Sequence, residues 1–430
     1  MHKIFPNCST KNAHNNGFLK NIAVIVFFLL TINASANTTT DDTLAIKNKH
    51  GNITTLVLHG TYKEMGFQYG QAMKDALNQT LTILKDYYIN KEHMSYEDLC
   101  KQGENFYNKF PKRYQLFIQE EAKGSGLKLS DVQILNAMET IVPGRGSCSF
   151  ISLPPKKTLT GKALIGRNYD FPEPFNQIAK YLTVTVLSEN IPTAIIALPG
   201  QIYCPTCINA HNLFMELNNG MPSGGFKVEE KEKTMLITLL KTMQNSYDLF
   251  HIEQHLSEID ADYSLIINTA TDKGEVVSYE FSSNSILGMK DKEYKNDVFV
   301  STNFFLDERW KGLPEPTDDT TWQGVTRRKN LLATAAIKET FDINSFQKLM
   351  DLDINHGGAV WDLTIYQIIF DPSNQSLYIK TNNESSNWNK IPLGELFSLS
   401  KFDCKNITEN MLEQYYSGIT PFPAFFDKCD

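Results

Sequence analysis

The 430-residue chain has little that would tie it to a membrane, a nucleic acid or a metal. Its one uninterrupted apolar run, Ile22 to Leu30 (IAVIVFFLL), is about half the ~20 residues that a spanning helix needs, and no other segment approaches that length. No basic face is concentrated anywhere. The formal net charge is −8, Lys and Arg are scattered, and the KVEEKEK run mixes both signs, which argues against nucleic acid as a partner. A single CxxC, Cys204 to Cys207, stands without a second CxxC or a paired-histidine motif, so no zinc site is expected, and no other cofactor. Internal repeats, low-complexity segments and Pro-rich linkers are also missing from the chain after its leader.

What is present begins at the amino terminus. Lys3, Lys11 and Lys20 precede the apolar run, and Ala34-Ser35-Ala36 follows it. This is the pattern of a secretory signal peptide over residues 1–36. It predicts a secreted or periplasmic protein (lysosomal or extracellular in a eukaryote) with no stable membrane anchor once the signal is removed. Export suggests an oxidising destination. The cysteines left are Cys100, Cys148, Cys204, Cys207, Cys404 and Cys429. Cys204 and Cys207 suit a local disulfide or two free thiols lining a loop, and Cys404 could pair with Cys429 to pin the tail.

Residues 37–50 are polar and read as disordered. A strand at ITTLVLHG follows, and then Met65, Tyr69, Met73, Leu77, Leu81 and Leu84 recur at helical spacing. Helical material continues to about residue 140, with Ser130 placed to cap a short helix. From SCSFISL onward the pattern changes to short β-type runs separated by turn residues, interrupted by a helix near residues 232–257 and two more between 327 and 352. Hairpins alternating with helices predict an α+β fold of antiparallel sheets with helices packed outside.

The chemistry centres on Cys148. A thiol is a nucleophile only as its thiolate, so something must take its proton. His50, His59, His93, His211, His251, His255 and His356 stand in no recognisable Cys-His context, and Cys148 opens a β-type run where a papain-like enzyme would place its cysteine at the head of a helix. Another base is available if the Ser147–Cys148 bond is cut. The α-amine of Cys148 itself, with an ordinary pKa of about 7.7–8.0, would then share the thiol proton. The approach PGRGSC, with two glycines and a serine, is small enough for that cleavage.

The segment CSF…GKALIGRNYDF, residues 148–171, resembles the start of the catalytic chain in the cysteine-type N-terminal nucleophile hydrolases. These include choloylglycine (bile salt) hydrolases, penicillin V acylases, acid ceramidase-like amidases and acyl-CoA:6-aminopenicillanate acyltransferases. The upstream HGTYKEMGFQYG is similar to the Gly-x-x-x-Glu-x-Gly-x-x-Tyr-Gly signature of the acyltransferase branch. The resemblance implies an αββα sandwich of two antiparallel sheets between helix layers. It also implies a helical N-terminal segment over 37–147 that becomes the light chain on self-cleavage, and a catalytic heavy chain over 148–430. Arg167 would favour the Cys148 thiolate by charge, and Asp170 would hold the new α-ammonium. Asn219, with Asn218 one register away, and Asn303 would polarise the carbonyl, and Arg327, with Arg328 as the alternative, would supply a second cation. Tyr203 and Phe226 are candidates for walls of the acyl pocket.

The implied activity is hydrolysis of a linear amide bond in a small-molecule N-acyl substrate through a thioester on Cys148. Three alternatives stay open: an acyltransferase passing the acyl group to an amine, a phospholipase B-like esterase, and a non-catalytic secreted binding protein with Cys148 in a disulfide.

Overall fold

The acyltransferase-like signature HGTYKEMGFQYG turns out to be a set of folding instructions for one helix. In the computed structural model, which describes residues 44–141, 144–225, 231–283, 289–295, 297–382 and 387–400, helix α1 spans Tyr62–Lys85. Thr61 caps it, and the Glu64 side chain returns the bond to the Thr61 backbone, a reciprocal capping box. Gly66 and Gly70 let α1 approach α3 (Lys112–Ser125) closely. A Cβ on Gly66 would lie 2.2 Å from the Phe117 carbonyl oxygen, and one on Gly70 2.3 Å from that of Glu121. Tyr69 reaches outward, where its hydroxyl accepts a bond from Gly200 N at 3.1 Å. The motif's residues thus serve packing.

Helices α2 (Tyr96–Asn108) and α4 (Leu129–Ala137) complete the N-terminal helical group that the sequence predicts. Lys128 sits at the cap of α4 and Ser130 lies inside the helix, so the capping expected of Ser130 is not what is found. The helix expected near residues 232–257 is two, α5 (Met235–Asn245) and α6 (Leu249–Ser257), the second capped by the Asp248 side chain. Among the described residues no helix is long and apolar enough to cross a membrane.

Among the described residues the strands form two sheets. One is nine-stranded, in the order β1 (Ile46–His50), β2 (Ile53–Leu58), β5 (Thr183–Leu187), β6 (Thr193–Ala197), β7 (Thr206–Asn209), β8 (Phe214–Asn219), β9 (Leu265–Ala270), β10 (Glu275–Phe281), β11 (Met289–Lys295). The other is six-stranded: β12 (Phe299–Ser301), β3 (Ser147–Leu153), β4 (Leu164–Asp170), β13 (Thr364–Asp371), β14 (Ser376–Thr381), β15 (Asn389–Pro392).

Two features of the sheets depart from expectation. Residues 46–50 form a strand where a disordered leader was expected. They pair with β2 through a tight turn at Gly51, whose φ of +61° suits glycine. As the edge of the sheet, β1 needs backbone pairing but no apolar face, and its lysines suit an exposed edge. The β2–β5 pair is parallel, so the larger sheet is mixed. A strand before residue 148 is thereby joined to strands that follow it.

The two sheets pack face to face. Phe150 of β3 lies 6.0 Å, ring to ring, from Phe214 of β8, which in turn lies 6.3 Å from Phe370 of β13. One large core joins helices α1–α4, the nine-stranded sheet and the inner face of the smaller sheet. A second core holds Ile151, Leu153, Leu164 and Ile369 against α7 (Gly324–Ile337) and α8 (Ile343–Met350). Strands β3 and β4 are accordingly buried at every position, covered on both faces. The architecture is α+β, two sheets between helix layers.

Candidate active site

Cys148 is the second residue of β3, and the β3–β4 hairpin sets its neighbours. The register pairs Cys148 with Tyr169, Phe150 with Arg167 and Ser147 with Asp170. Side chains directly opposite in a ladder share a face. Cys148, Arg167 and Tyr169 therefore point to one side, and Ser147 and Asp170 to the other. Two distinct polar clusters result, one around the sulfur and one around the backbone of the same residue.

On the sulfur side, Arg167 Nη2 lies 3.2 Å from Cys148 Sγ and donates to Leu217 O at 2.6 Å. Its Nη1 donates to Pro205 O at 2.5 Å and to the Thr206 hydroxyl, and its Nε is ion-paired with Glu216 at 3.0 Å. Arg167 and Glu216 are both fully buried. Pro205 and Thr206 are the middle residues of the CxxC, whose cysteines form the Cys204–Cys207 disulfide. The guanidinium is thus held between the start of β7 and the middle of β8. Cys148 is a free thiol with 3% exposure. Burial pushes it up to about 12, the Arg167 charge opposing that rise and Glu216 and Asp170 adding to it. The intact chain therefore holds a protonated thiol beside a cation.

On the backbone side, Cys148 N donates to Asn303 Oδ1 at 3.1 Å. Arg327 Nη1 donates to Cys148 O at 3.0 Å and to Asp170 Oδ2 at 2.8 Å, and its Nη2 donates to Asn303 Oδ1 at 2.9 Å. Asp170 also accepts from Thr364 Oγ1 at 2.7 Å and Ser147 Oγ at 3.3 Å. A register shift in β13 between Thr364 and Tyr366 accompanies the Thr364 contact. Burial raises the Asp170 carboxyl, and the Arg327 charge pulls it back.

The structure thus brings Arg167, Asp170, Asn303 and Arg327 around Cys148, in arrangements that differ from the resemblance in two respects. Asp170 holds Arg327, and the nitrogen of Cys148 is met by Asn303. Asn303 uses its oxygen on that nitrogen and gives one of its two amide hydrogens to Asn219 O at 3.0 Å. Asn219 Nδ2 donates to Gly146 O at 3.1 Å, on the cavity side of Cys148, and Met221 N fixes its Oδ1 at 3.0 Å. Asn218 points away, toward Ser301 Oγ at 3.5 Å. Arg328 likewise lies outside, bonded to Val300 O at 3.1 Å.

A small cavity of about 70 Å³, partly open to solvent, adjoins Cys148. Gly146, Cys148 and Asn219 line it, with a mainly apolar wall that includes Phe171, Leu217, Met221 and Leu265. Tyr203, expected in that wall, is fully buried behind it, where its hydroxyl accepts from Gln201 Nε2 at 2.7 Å. Phe226 lies outside the described residues, as do Cys404 and Cys429.

Glu216 and Thr364, which meet Arg167 and Asp170, were not anticipated, and one of them carries a sequence signal. Glu216 is a lone acid in the otherwise uncharged run NLFMELNN, and a charge in a strand buried on both faces needs a partner. Thr364 has no such signal, since only the fold brings it to Asp170.

No family model matches the chain, and no curated protein matches it. Solved structures do resemble it. A mutant of conjugated bile acid hydrolase from Clostridium perfringens is 13% identical with a TM-score of 0.42, over 58% of this chain and 93% of that one. An N-acylethanolamine-hydrolyzing acid amidase ortholog from Caenorhabditis elegans is 13% identical with a TM-score of 0.39, over 53% and 93%. A penicillin V acylase from Agrobacterium tumefaciens is 10% identical with a TM-score of 0.34, over 57% and 86%.

Proposed function

We propose that the chain is a cysteine amidohydrolase of the N-terminal nucleophile type. In this reading it matures by cutting its own Ser147–Cys148 bond and then cleaves a linear amide of an N-acyl substrate. One observation carries the reading: the sulfur and the backbone nitrogen of the same residue are each held by a buried polar group, Sγ by Arg167 and N by Asn303. A cysteine that served only for packing, or as half of a disulfide, would need no buried cation at its sulfur.

In maturation, Cys148 Sγ attacks the Ser147 carbonyl carbon. A C–S bond forms, the C–N bond breaks, and the nitrogen takes the thiol proton. Water then hydrolyses the thioester, leaving a carboxylate on Ser147 and a free α-amine on Cys148. With a pKa near neutrality, that amine can accept the thiol proton on the next turnover. Asn303 Oδ1 orients it, while Arg327 holds Asn303 and the Cys148 carbonyl. Arg167 favours the thiolate once the cavity opens to water. The substrate acyl group occupies the apolar cavity, and Asn219 Nδ2, whose present partner is the carbonyl of Gly146, donates to the developing oxyanion. The amine returns its proton to the leaving nitrogen, and water resolves the thioester.

Intact mass measurement tests the proposal. Wild-type protein is expected as two chains, 37–147 and 148–430, and Cys148→Ala as one. Cleavage at residue 147 in the alanine variant, or an unbroken chain in active material, would overturn it.

A further inference from the structure

The cavity beside Cys148 contains an acid for which the proposed chemistry has no use. Glu139, just past the end of α4, lies in its wall. Gln201 Nε2 donates to Glu139 Oε1 at 2.6 Å, the Tyr169 hydroxyl donates to the same oxygen, and Tyr203 adds its hydroxyl from behind. All of these donors are neutral. No lysine or arginine is among the described residues that line the cavity, and Arg167 reaches Glu139 only through space.

A carboxylate set in an apolar wall is costly unless its hydrogen bonds are made and its charge is met. Here the hydrogen bonds are made. Burial raises the Glu139 carboxyl above its ordinary range, and the Tyr169, Gln201 and Tyr203 donors and the distant Arg167 charge oppose that rise without cancelling it. Among the described lining residues, none supplies the countercharge from the protein's side of the cavity.

We propose that Glu139 is a specificity-determining residue, selecting a substrate whose apolar acyl part carries a hydrogen-bond donor, an ammonium above all, and rejecting one that carries a carboxylate. The inference rests on the cavity being the substrate site of Cys148. The ammonium completes the pairing that the Tyr169, Gln201 and Tyr203 network leaves one-sided, and the surrounding apolar wall takes the hydrocarbon. A charge-assisted bond to Glu139 favours the cation by roughly tenfold or more. A carboxylate in the same place meets like charge.

The test is calorimetric titration of the full-chain protein with n-hexylammonium, n-hexanol and n-hexanoate near neutral pH. Wild type is expected to bind hexylammonium at least about tenfold more tightly than hexanoate. Glu139→Gln, which keeps the shape and an acceptor oxygen, is expected to bring the two within about threefold and leave hexanol unchanged. Equal binding of hexanoate and hexylammonium to wild type, no binding of either, or an unchanged preference in Glu139→Gln would overturn the proposal. The wild-type ranking decides the matter even if the variant fails to fold. No turnover is needed, so a protein that neither self-cleaves nor hydrolyses amides would defeat the hydrolase reading and still report on Glu139.

Discussion

Replacing Arg167 by methionine separates the two jobs this residue holds. The guanidinium is the cation on which Glu216, Pro205 O, Thr206 Oγ1, Leu217 O and Cys148 Sγ converge, with no exposure to solvent. Arg167→Met leaves Glu216 buried without its partner, and breaking a buried pair from one side costs about 3–5 kcal/mol. Adding Glu216→Gln removes the orphaned charge and is expected to return most of that loss, because neutral replacements of a buried pair are often tolerated. The thiol does not recover in the double variant. Arg167 lowers the Cys148 pKa by more than Glu216 raises it, so losing both leaves the thiol higher than in wild type. Each unit of that rise cuts the thiolate about tenfold at fixed pH. Urea unfolding reads the first quantity. The pH dependence of Cys148 alkylation by iodoacetamide, followed by mass, reads the second. A single variant that loses less than about 1 kcal/mol would refute the buried pair. A double variant alkylated like wild type would show that Arg167 does nothing for the sulfur.

Two further expectations concern stability. Glu280 accepts bonds from Leu306 N, Asp307 N and Trp310 Nε1, yet burial pushes its carboxyl up to about 7, and burial does the same to Glu216. A raised carboxyl binds its proton more tightly folded than unfolded, so its stabilising share is complete below the ordinary carboxylate range and is lost as pH climbs to about 7, at about 1.4 kcal/mol per pH unit per group. Glu280→Gln should flatten the decline in unfolding free energy between about pH 5 and about pH 7, and an unchanged slope would contradict the assignment. Opening the Cys204–Cys207 bond, by reductant or as the Cys204→Ser/Cys207→Ser pair, should cost about 2 kcal/mol for so short a loop. It should also slow Cys148 alkylation, because Pro205 and Thr206 lie inside that loop and hold Arg167. An alkylation rate that stays the same while the melt shifts would confine the disulfide to stability.

The part of this site readable without coordinates is the part built by one hairpin. Strand alternation places Cys148 and Arg167 on one face and Asp170 on the other as soon as β3 and β4 pair, and the turn between them is short enough to make that pairing local. The helical run from Met65 to Leu84 is equally plain, since its apolar spacing is a property of the helix itself. Tertiary structure alone decided what lies far along the chain. Asn303 and Arg327 arrive 155 and 179 residues after Cys148, and nothing local says that the Asn303 oxygen would meet the Cys148 nitrogen. The parallel joining of β2 to β5, the disulfide loop behind Arg167 and the carboxyl of Glu139 in the cavity wall have the same origin. A sequence encodes local periods directly, whereas contacts between distant segments depend on which surfaces the whole chain buries together. Cys148 and its nearest charge were therefore legible, and the orientation of the distant groups around them was not.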